Sequence, residues 1–328
     1  MHVVITGGAG FIGRRLCLEL LRRGQLDRGA GVPARIESIT LFDHLPPARP
    51  IQDPRVRYLA GDIGDPASVQ GAIAAGTDSV FHLAAVVSAE AEANFDLGMR
   101  VNLDGTRNVL EACRALPRPP QLVFTSSIAT YGGKLPDPVT DETLQTPLTS
   151  YGAQKAAAEF LVGDYSRKGF LDGRALRLPT ITIRPGKPNR AASTWVSSIM
   201  REPLQGEDAV CPVTPETRMA CLSPRRCVAA LIRAHELPAE ALGNSRSILL
   251  PGLSVSAREM ADAVQRHAGN RRLGRIIWEP DPAIQRIVDG WPKASRSAKA
   301  AALGFEGDTS IDEIVKGFIE DELEGQAQ

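Results

Sequence analysis

Apolar residues in the first half of the chain fall into two alternating rhythms. Short apolar-rich runs at residues 2–6, 36–42, 55–60, 78–83, 121–125 and 173–182 read as strands buried on both faces. Between them, apolar positions recur at helical spacing: Leu16, Leu20 and Leu21 after the first run, Val101, Val109, Leu110 and Cys113 within residues 100–116, and Ala156, Phe160 and Leu161 beyond Tyr151. Strand alternating with helix predicts an α/β protein with a parallel, doubly wound sheet. After residue 180 the texture changes to short helical pieces broken by Pro203, Pro212, Pro215 and Pro224, while residues 247–250 read as one further strand of the sheet. The expected division is residues 1–180 for the sheet domain and 181–328 mainly for a smaller, interleaved second domain.

The strand ends carry the candidate chemistry. The first run stops at Thr6 and leads into Gly7-Gly8-Ala9-Gly10-Phe11-Ile12-Gly13, then a helix. Glycines in that context serve a tight turn, close approach of backbone to a pyrophosphate, and close packing of helix on strand, with free N–H groups at the helix N-terminus. The second strand ends at Asp43, where a carboxylate accepts from adenosine ribose hydroxyls and repels a 2′-phosphate, which favours NAD over NADP. Asp43 lies farther from Gly13 than the usual spacing of about 20 residues, and the Gly-rich stretch 24–33 reads as a long surface loop. Asp43 alternatively starts the turn through Pro46 and Pro47, and Arg14 and Arg15 keep NADP open. Asp62 is placed to bond an adenine amino group with Ile63 covering the ring, or else Asp62 caps the next helix. Small Ala84 and Ala85 allow a dinucleotide close to the backbone.

Ser126 and Ser127 close the fifth strand, where hydroxyls suit a substrate oxygen. Thr149 and Ser150 read as caps of a helix carrying Tyr151-Gly152-Ala153-Gln154-Lys155. Four residues on a helix is one turn, so the phenol and the ammonium share a face. A phenol with an ordinary pKa of about 10 becomes a usable base when an adjacent cation stabilises its anion. The bland alternative is a surface helix that happens to carry both.

Composition narrows the classes. The 328 residues hold 38 basic and 38 acidic side chains, so the net charge is zero and no basic footprint for nucleic acid exists. No stretch approaches the roughly 18 apolar residues needed to span a bilayer, and residues 1–6 lack a charged leader, so no membrane partner and a cytoplasmic location are expected. The 5 cysteines and 5 histidines are scattered, which indicates neither a disulfide framework nor a metal site.

Taken together, the Thr6–Gly13 segment, Gly61-Asp62-Ile63, His82-Leu83-Ala84-Ala85, Asn102, Thr125-Ser126-Ser127 and Tyr151-x-x-x-Lys155 resemble the extended short-chain dehydrogenase/reductase superfamily, in its NAD-dependent epimerase/dehydratase branch. The resemblance covers essentially the whole chain. It implies a Rossmann domain, bound NAD and a homodimer with a helix-to-helix interface. Within the motifs it implies contacts to the cofactor from Gly7, Gly10, Phe11, Ile12, Gly13, Leu83, Asn102 and Thr125, with Pro179 beside the nicotinamide. It further implies Tyr151 as general base, Lys155 as the cation that lowers its pKa and bonds the nicotinamide ribose, and a catalytic hydroxyl four residues before Tyr131, at Ser127, with Ser126 the other candidate.

More narrowly, Tyr131-Gly132-Gly133-Lys134-Leu135-Pro136 and the segment from Leu178 through Arg184, Lys187 and Asn189 resemble a branch of sugar-acid dehydrogenases, implying oxidation of the C2 hydroxyl of a four-carbon sugar acid. A sugar acid needs a cation for its carboxylate, and Arg pairs bidentately. Arg184, Lys187, Arg190 and Arg218 are the candidates, with a solvated charge cluster as the alternative; Ser88 either faces the substrate or bonds backbone. Two competing functions remain on the same fold: a nucleotide-sugar epimerase that reoxidises its NAD within each turnover, and a non-catalytic NAD-binding protein, which the retained Tyr151 and Lys155 argue against. A dehydratase is disfavoured because Ile128 and Ala129, not an acidic pair, follow Ser127.

Overall fold

A computed structural model describes residues 1–47, 49–186 and 193–324. Among these, seven strands form one sheet: β1 (His2–Thr6), β2 (Ser38–Asp43), β3 (Val56–Ala60), β4 (Ser79–His82), β5 (Gln121–Ser127), β6 (Asp172–Leu178) and β7 (Ser247–Leu249). Their order is β7-β6-β5-β4-β1-β2-β3. β1 pairs in parallel with β2 on one side and β4 on the other, and β2–β3 and β4–β5 are parallel as well. The chain thus winds outward from β1 in one direction and then returns to wind outward in the other. In such a sheet the crevice for a ligand opens at the carboxyl ends of the strands on either side of the reversal, here β1 and β4. Register places Phe42, Thr6, His82 and Phe124 side by side there.

Five helices of this unit matter for the site: α1 (Phe11–Arg23), α2 (Pro66–Ala72), α3 (Ser88–Ala93), α4 (Gly105–Arg114) and α5 (Ser150–Arg167). The amphipathic faces of α2, α4 and α5 supply Val69, Val109, Leu110 and Val162 to a core that also takes Val4, Val80, Leu122 and Phe124 from the sheet. Burying these faces, at about 25 cal/mol per Å² of apolar surface, is what stabilises the layers.

Three boundaries differ from the pattern-based expectation. The run 173–182 is not one strand: β6 ends at Leu178, and Thr180–Ile181 joins a separate three-stranded sheet with Arg218–Leu222 and Leu253–Ser256. Pro179 between them has no N–H for a ladder and restricts Leu178. The stretch 24–33 is not wholly loop, since Gln25–Leu26 pairs antiparallel with Ala34–Arg35. Residues 100–116 open with a wide, π-type turn over Met99–Asp104 before the regular helix begins at Gly105.

By contacts the chain forms two compact units. One comprises Met1–Thr130, Thr149–Arg177 and Val228–Ile248; the other comprises Tyr131–Leu148, Leu178–Cys227 and Leu249–Gln328. The excursion Tyr131–Leu148 groups with the second unit, where Val139 bridges to Ser295. That unit has its own core, in which Trp195, Ile199, Met200, Met219, Met260 and Phe318 meet. No helix among the described residues is long and apolar enough to cross a membrane. The same residues contain no cluster of three metal-ligating side chains, and all five cysteines are free and buried.

Candidate active site

The turn after β1 is built so closely that only glycine fits it. Gly7 has φ +69°, and a Cβ there would lie 2.8 Å from Ala84 N, so β1 and β4 approach at backbone contact distance. A Cβ on Gly13 would sit 2.4 Å from Gly7 O and 2.8 Å from Gly8 Cα. Gly10 N donates to Gly7 O at 3.1 Å, and α1 follows with no side-chain cap at Gly10. Phe11 and Ile12, both half-buried, occupy the first turn. The 13-residue helix α1 therefore presents an uncapped, partially positive N-terminus at the crevice, an arrangement that suits a pyrophosphate.

Asp43 lies at the rim and is tied to this turn: one carboxylate oxygen accepts from Ala9 N at 3.1 Å, the other from His44 N at 2.8 Å. Asp43 thus starts the turn and, in addition, braces the glycine loop. Asp62 accepts from Gly64 N at 2.8 Å and pairs with Arg100. Those two contacts hold its carboxyl below the ordinary range despite partial burial, the bond from Gly64 being the larger. Asp62 does not cap α2; Asp65 does, accepting from Ala67 N and Ser68 N. Ile63 is turned into the core, 7% exposed, with its carbonyl accepting from Asn108.

Three polar side chains fasten the end of β4. Thr6 Oγ1 bonds His82 Nδ1 at 2.7 Å, and His82 Nε2 bonds Thr106 Oγ1 at 3.0 Å. Burial, reinforced by Lys155, pushes the His82 pKa down to about 3, so the ring stays neutral. Asn102 is buried and faces protein on both ends of its amide: Oδ1 accepts from Val86 N at 2.9 Å, while Nδ2 donates to Val86 O at 3.1 Å and to Gln154 Oε1 at 2.8 Å. Asn102 therefore anchors the segment Leu83, Ala84, Ala85 rather than presenting a free amide. Ser88 lies half-buried at the start of α3.

The α5 helix delivers the two residues with acid/base potential. Thr149 Oγ1 caps it, accepting from Gly152 N at 3.1 Å. Tyr151 is half-buried, and Lys155 Nζ lies 5.8 Å from its ring centroid. Lys155 is 1% exposed, donates to Thr125 O at 2.8 Å and sits 4.6 Å from the Phe124 ring centroid. Burial pushes its pKa down to about 7, against the opposing pull of Glu159. Thr125 Oγ1 donates to His82 O at 3.2 Å, locking the end of β5 to β4.

The two serines that follow have different partners. Ser126 is buried and donates to Glu159, which also forms a bidentate pair with Arg177 at 2.7 to 3.1 Å. Ser127 is half-buried, and its Oγ accepts from Ala129 N at 3.1 Å, which leaves its proton for another acceptor. Glu159 and Arg177 were not foreseen, although Glu159 continues the four-residue spacing of Tyr151 and Lys155 by one more turn. Nothing in the pattern of β6 singles out Arg177.

The remaining candidates belong to the second unit. Pro179 is buried near Gly252. Arg184 is half-buried, with its N–H donating to Ser197 Oγ at 3.1 Å and its carbonyl accepting from buried Arg201 at 2.6 Å. Arg218 bonds Ser254 Oγ at 3.1 Å and pairs with Glu259 at 3.0 Å, so its charge already has a partner. Lys187 and Arg190 lie outside the described residues.

Comparison with known proteins agrees with this fold. Residues 3–239 match the model of the NAD dependent epimerase/dehydratase family. The chain is 53% identical to D-erythronate dehydrogenase of Cupriavidus necator, over 98% of each chain. It is 45% identical to D-erythronate dehydrogenase of Haemophilus influenzae, over 98% of this chain and 99% of that one. A solved structure described as a nucleoside-diphosphate-sugar epimerase from Agrobacterium tumefaciens matches with a TM-score of 0.90 at 43% identity, covering 100% of this chain and 96% of that one. With a doubly wound sheet, a glycine turn at its switch point and these relatives, the chain belongs to the NAD-dependent epimerase/dehydratase family.

Proposed function

We propose that this protein is an NAD-dependent dehydrogenase that oxidises the C2 hydroxyl of D-erythronate to 2-dehydro-D-erythronate. The observation that carries the substrate is the end-to-end similarity to two D-erythronate dehydrogenases, at 53% and 45% identity. Its cofactor is a nicotinamide dinucleotide. NAD over NADP is favoured by the carboxylate of Asp43 at the rim of β2. Gly7, Gly10, Phe11, Ile12 and Gly13 would hold the pyrophosphate, Asp62 the adenine side with Ile63 packed behind it, and Leu83, Ala84, Ala85, Thr125, Lys155 and Pro179 the nicotinamide side, with Asn102 anchoring the Leu83–Ala85 segment from behind. NAD, when bound, supplies the acceptor for the hydride that leaves C2.

The chain's own residues handle the proton. Tyr151, as phenolate, takes the proton from the C2 hydroxyl as the carbonyl forms. Lys155, one turn away with its ammonium fixed on Thr125 O, stabilises that phenolate. Ser127 is the hydroxyl that steadies the reacting oxygen, because Ser126 is committed to Glu159. Arg184 and Arg218 are the candidates for the carboxylate, and pairing with Glu259 weakens the case for Arg218; Ser88 completes the substrate side. Phe160, 72% exposed on α5, and Phe95, 57% exposed, support a homodimer through helix faces.

Purified protein incubated with NAD and D-erythronate is expected to accumulate NADH, followed by absorbance, with Tyr151→Phe slower by a factor on the order of 10² and NAD affinity retained. No NADH from D-erythronate or other aldonic acids overturns the proposal. The Agrobacterium structure described as an epimerase favours a second reading, sugar interconversion without net NADH. Product analysis with nucleotide sugars separates the two.

A further inference from the structure

We propose that Glu159 is a positioning residue for the Tyr151–Lys155 pair: its carboxylate locks the end of β5 through Ser126 and sets a negative charge one helical turn from Lys155. This rests on the assignment of Tyr151 and Lys155 as the catalytic pair. Glu159 is 4% exposed, an unusual place for a carboxylate, and it lies one helical turn beyond Lys155 on α5. It accepts from Ser126 and from two nitrogens of Arg177 on β6, an ion pair inside the fold. Ser126 adjoins Thr125, whose carbonyl receives the Lys155 ammonium. One buried anion therefore fixes the strand end on which the cation docks and offsets the cost of burying that cation.

The need is physical. Burial alone drives the Lys155 pKa down, and Glu159 opposes it. A neutral amine would no longer stabilise a phenolate. The charged and titratable groups around Lys155 are Tyr151 and Glu159 on α5, Arg177 bonded to Glu159 on β6, and His82 on β4, which is held neutral. Of the other elements packed on α5, α3 contributes Glu92, which accepts from Ser150 N, and α4 contributes Glu111, bonded to Tyr165. The turn before α4 contributes Arg100, paired with Asp62, and Asp104, paired with Arg107. Glu159 is thus the anion that acts on Lys155.

The test is a pH titration of protein carrying 13C-labelled lysine, followed by NMR, with the Lys155 resonance assigned by its loss in Lys155→Met. Glu159→Gln is expected to lower the Lys155 midpoint by about one pH unit or more, while Glu159→Asp keeps it near wild type. Arg177→Gln, which leaves the Glu159 charge unneutralised, is expected to raise it. In turnover the alkaline limb of kcat moves in the same opposite directions. A role confined to packing lowers kcat or Tm in both variants without moving either midpoint, and that result overturns the proposal. If Glu159→Gln does not fold, the upward shift in Arg177→Gln carries the test alone. The titration needs no substrate, so its outcome is separate from whether D-erythronate is oxidised.

Discussion

Lys155 Nζ donates to the carbonyl of Thr125 at 2.8 Å, joining helix α5 to the carboxyl end of β5 through a buried cation. That single bond sets where the ammonium stands relative to the Tyr151 phenol on one side and the end of the sheet on the other.

The same burial makes Lys155 a stability liability in the protein without ligand. Its pKa falls from the ordinary 10.5 to about 7 on folding. Between those values the unfolded chain binds the proton and the folded one does not, so stability rises with pH across roughly pH 7 to 10.5 and is lowest below pH 7. Lys155→Met is therefore expected to be more stable than wild type at pH 6, by on the order of a few kcal/mol, and to lose that advantage toward pH 10. Urea unfolding at several pH values checks this; a variant less stable than wild type at pH 6 contradicts it.

Gly13→Ala is expected to weaken dinucleotide binding by a factor of about 10 or more and to destabilise the fold by roughly 1–3 kcal/mol. A methyl there would lie 2.4 Å from Gly7 O, and both atoms are in tight backbone that cannot yield. Titration of NADH fluorescence and thermal unfolding measure the two effects together.

Asp43→Asn keeps an acceptor for Ala9 N but removes the charge at the rim of β2. The ratio of kcat/KM for NADP over that for NAD should rise about tenfold or more, through recovered NADP rather than lost NAD. An unchanged ratio places cofactor choice elsewhere.

Arg184 and Arg218 should separate in steady-state kinetics. Arg184→Gln is expected to raise KM for the sugar acid about tenfold or more while leaving KM for NAD alone. Arg218→Gln should change KM by a factor of about two to three, because Arg218 already spends its charge on Glu259. Equal effects at the two positions contradict that distinction.

Much of this molecule follows from local rules that operate along the chain. Strand–helix alternation needs only the apolar period, so the doubly wound sheet and the turn from Gly7 to Gly13 were legible without coordinates. The four-residue step from Tyr151 to Lys155 likewise needs only helical geometry. Rules of that kind stop where a partner comes from far away in the chain. Ser126 and Ser127 are adjacent and chemically identical, and only packing α5 against β5 brings Glu159 onto one and not the other. Asp62 and Asp65 both precede α2, but the turn at Gly64 decides that Asp65 caps it. Arg218 was one of several candidates for a substrate carboxylate, and only the pairing of Arg218–Leu222 with Leu253–Ser256 set it beside Glu259. Residue order determined which chemical groups this protein has and the period of its elements. Which of those groups stay available for chemistry was decided by long-range burial, because a charge or hydroxyl taken out of water must find whatever partner the fold puts within reach.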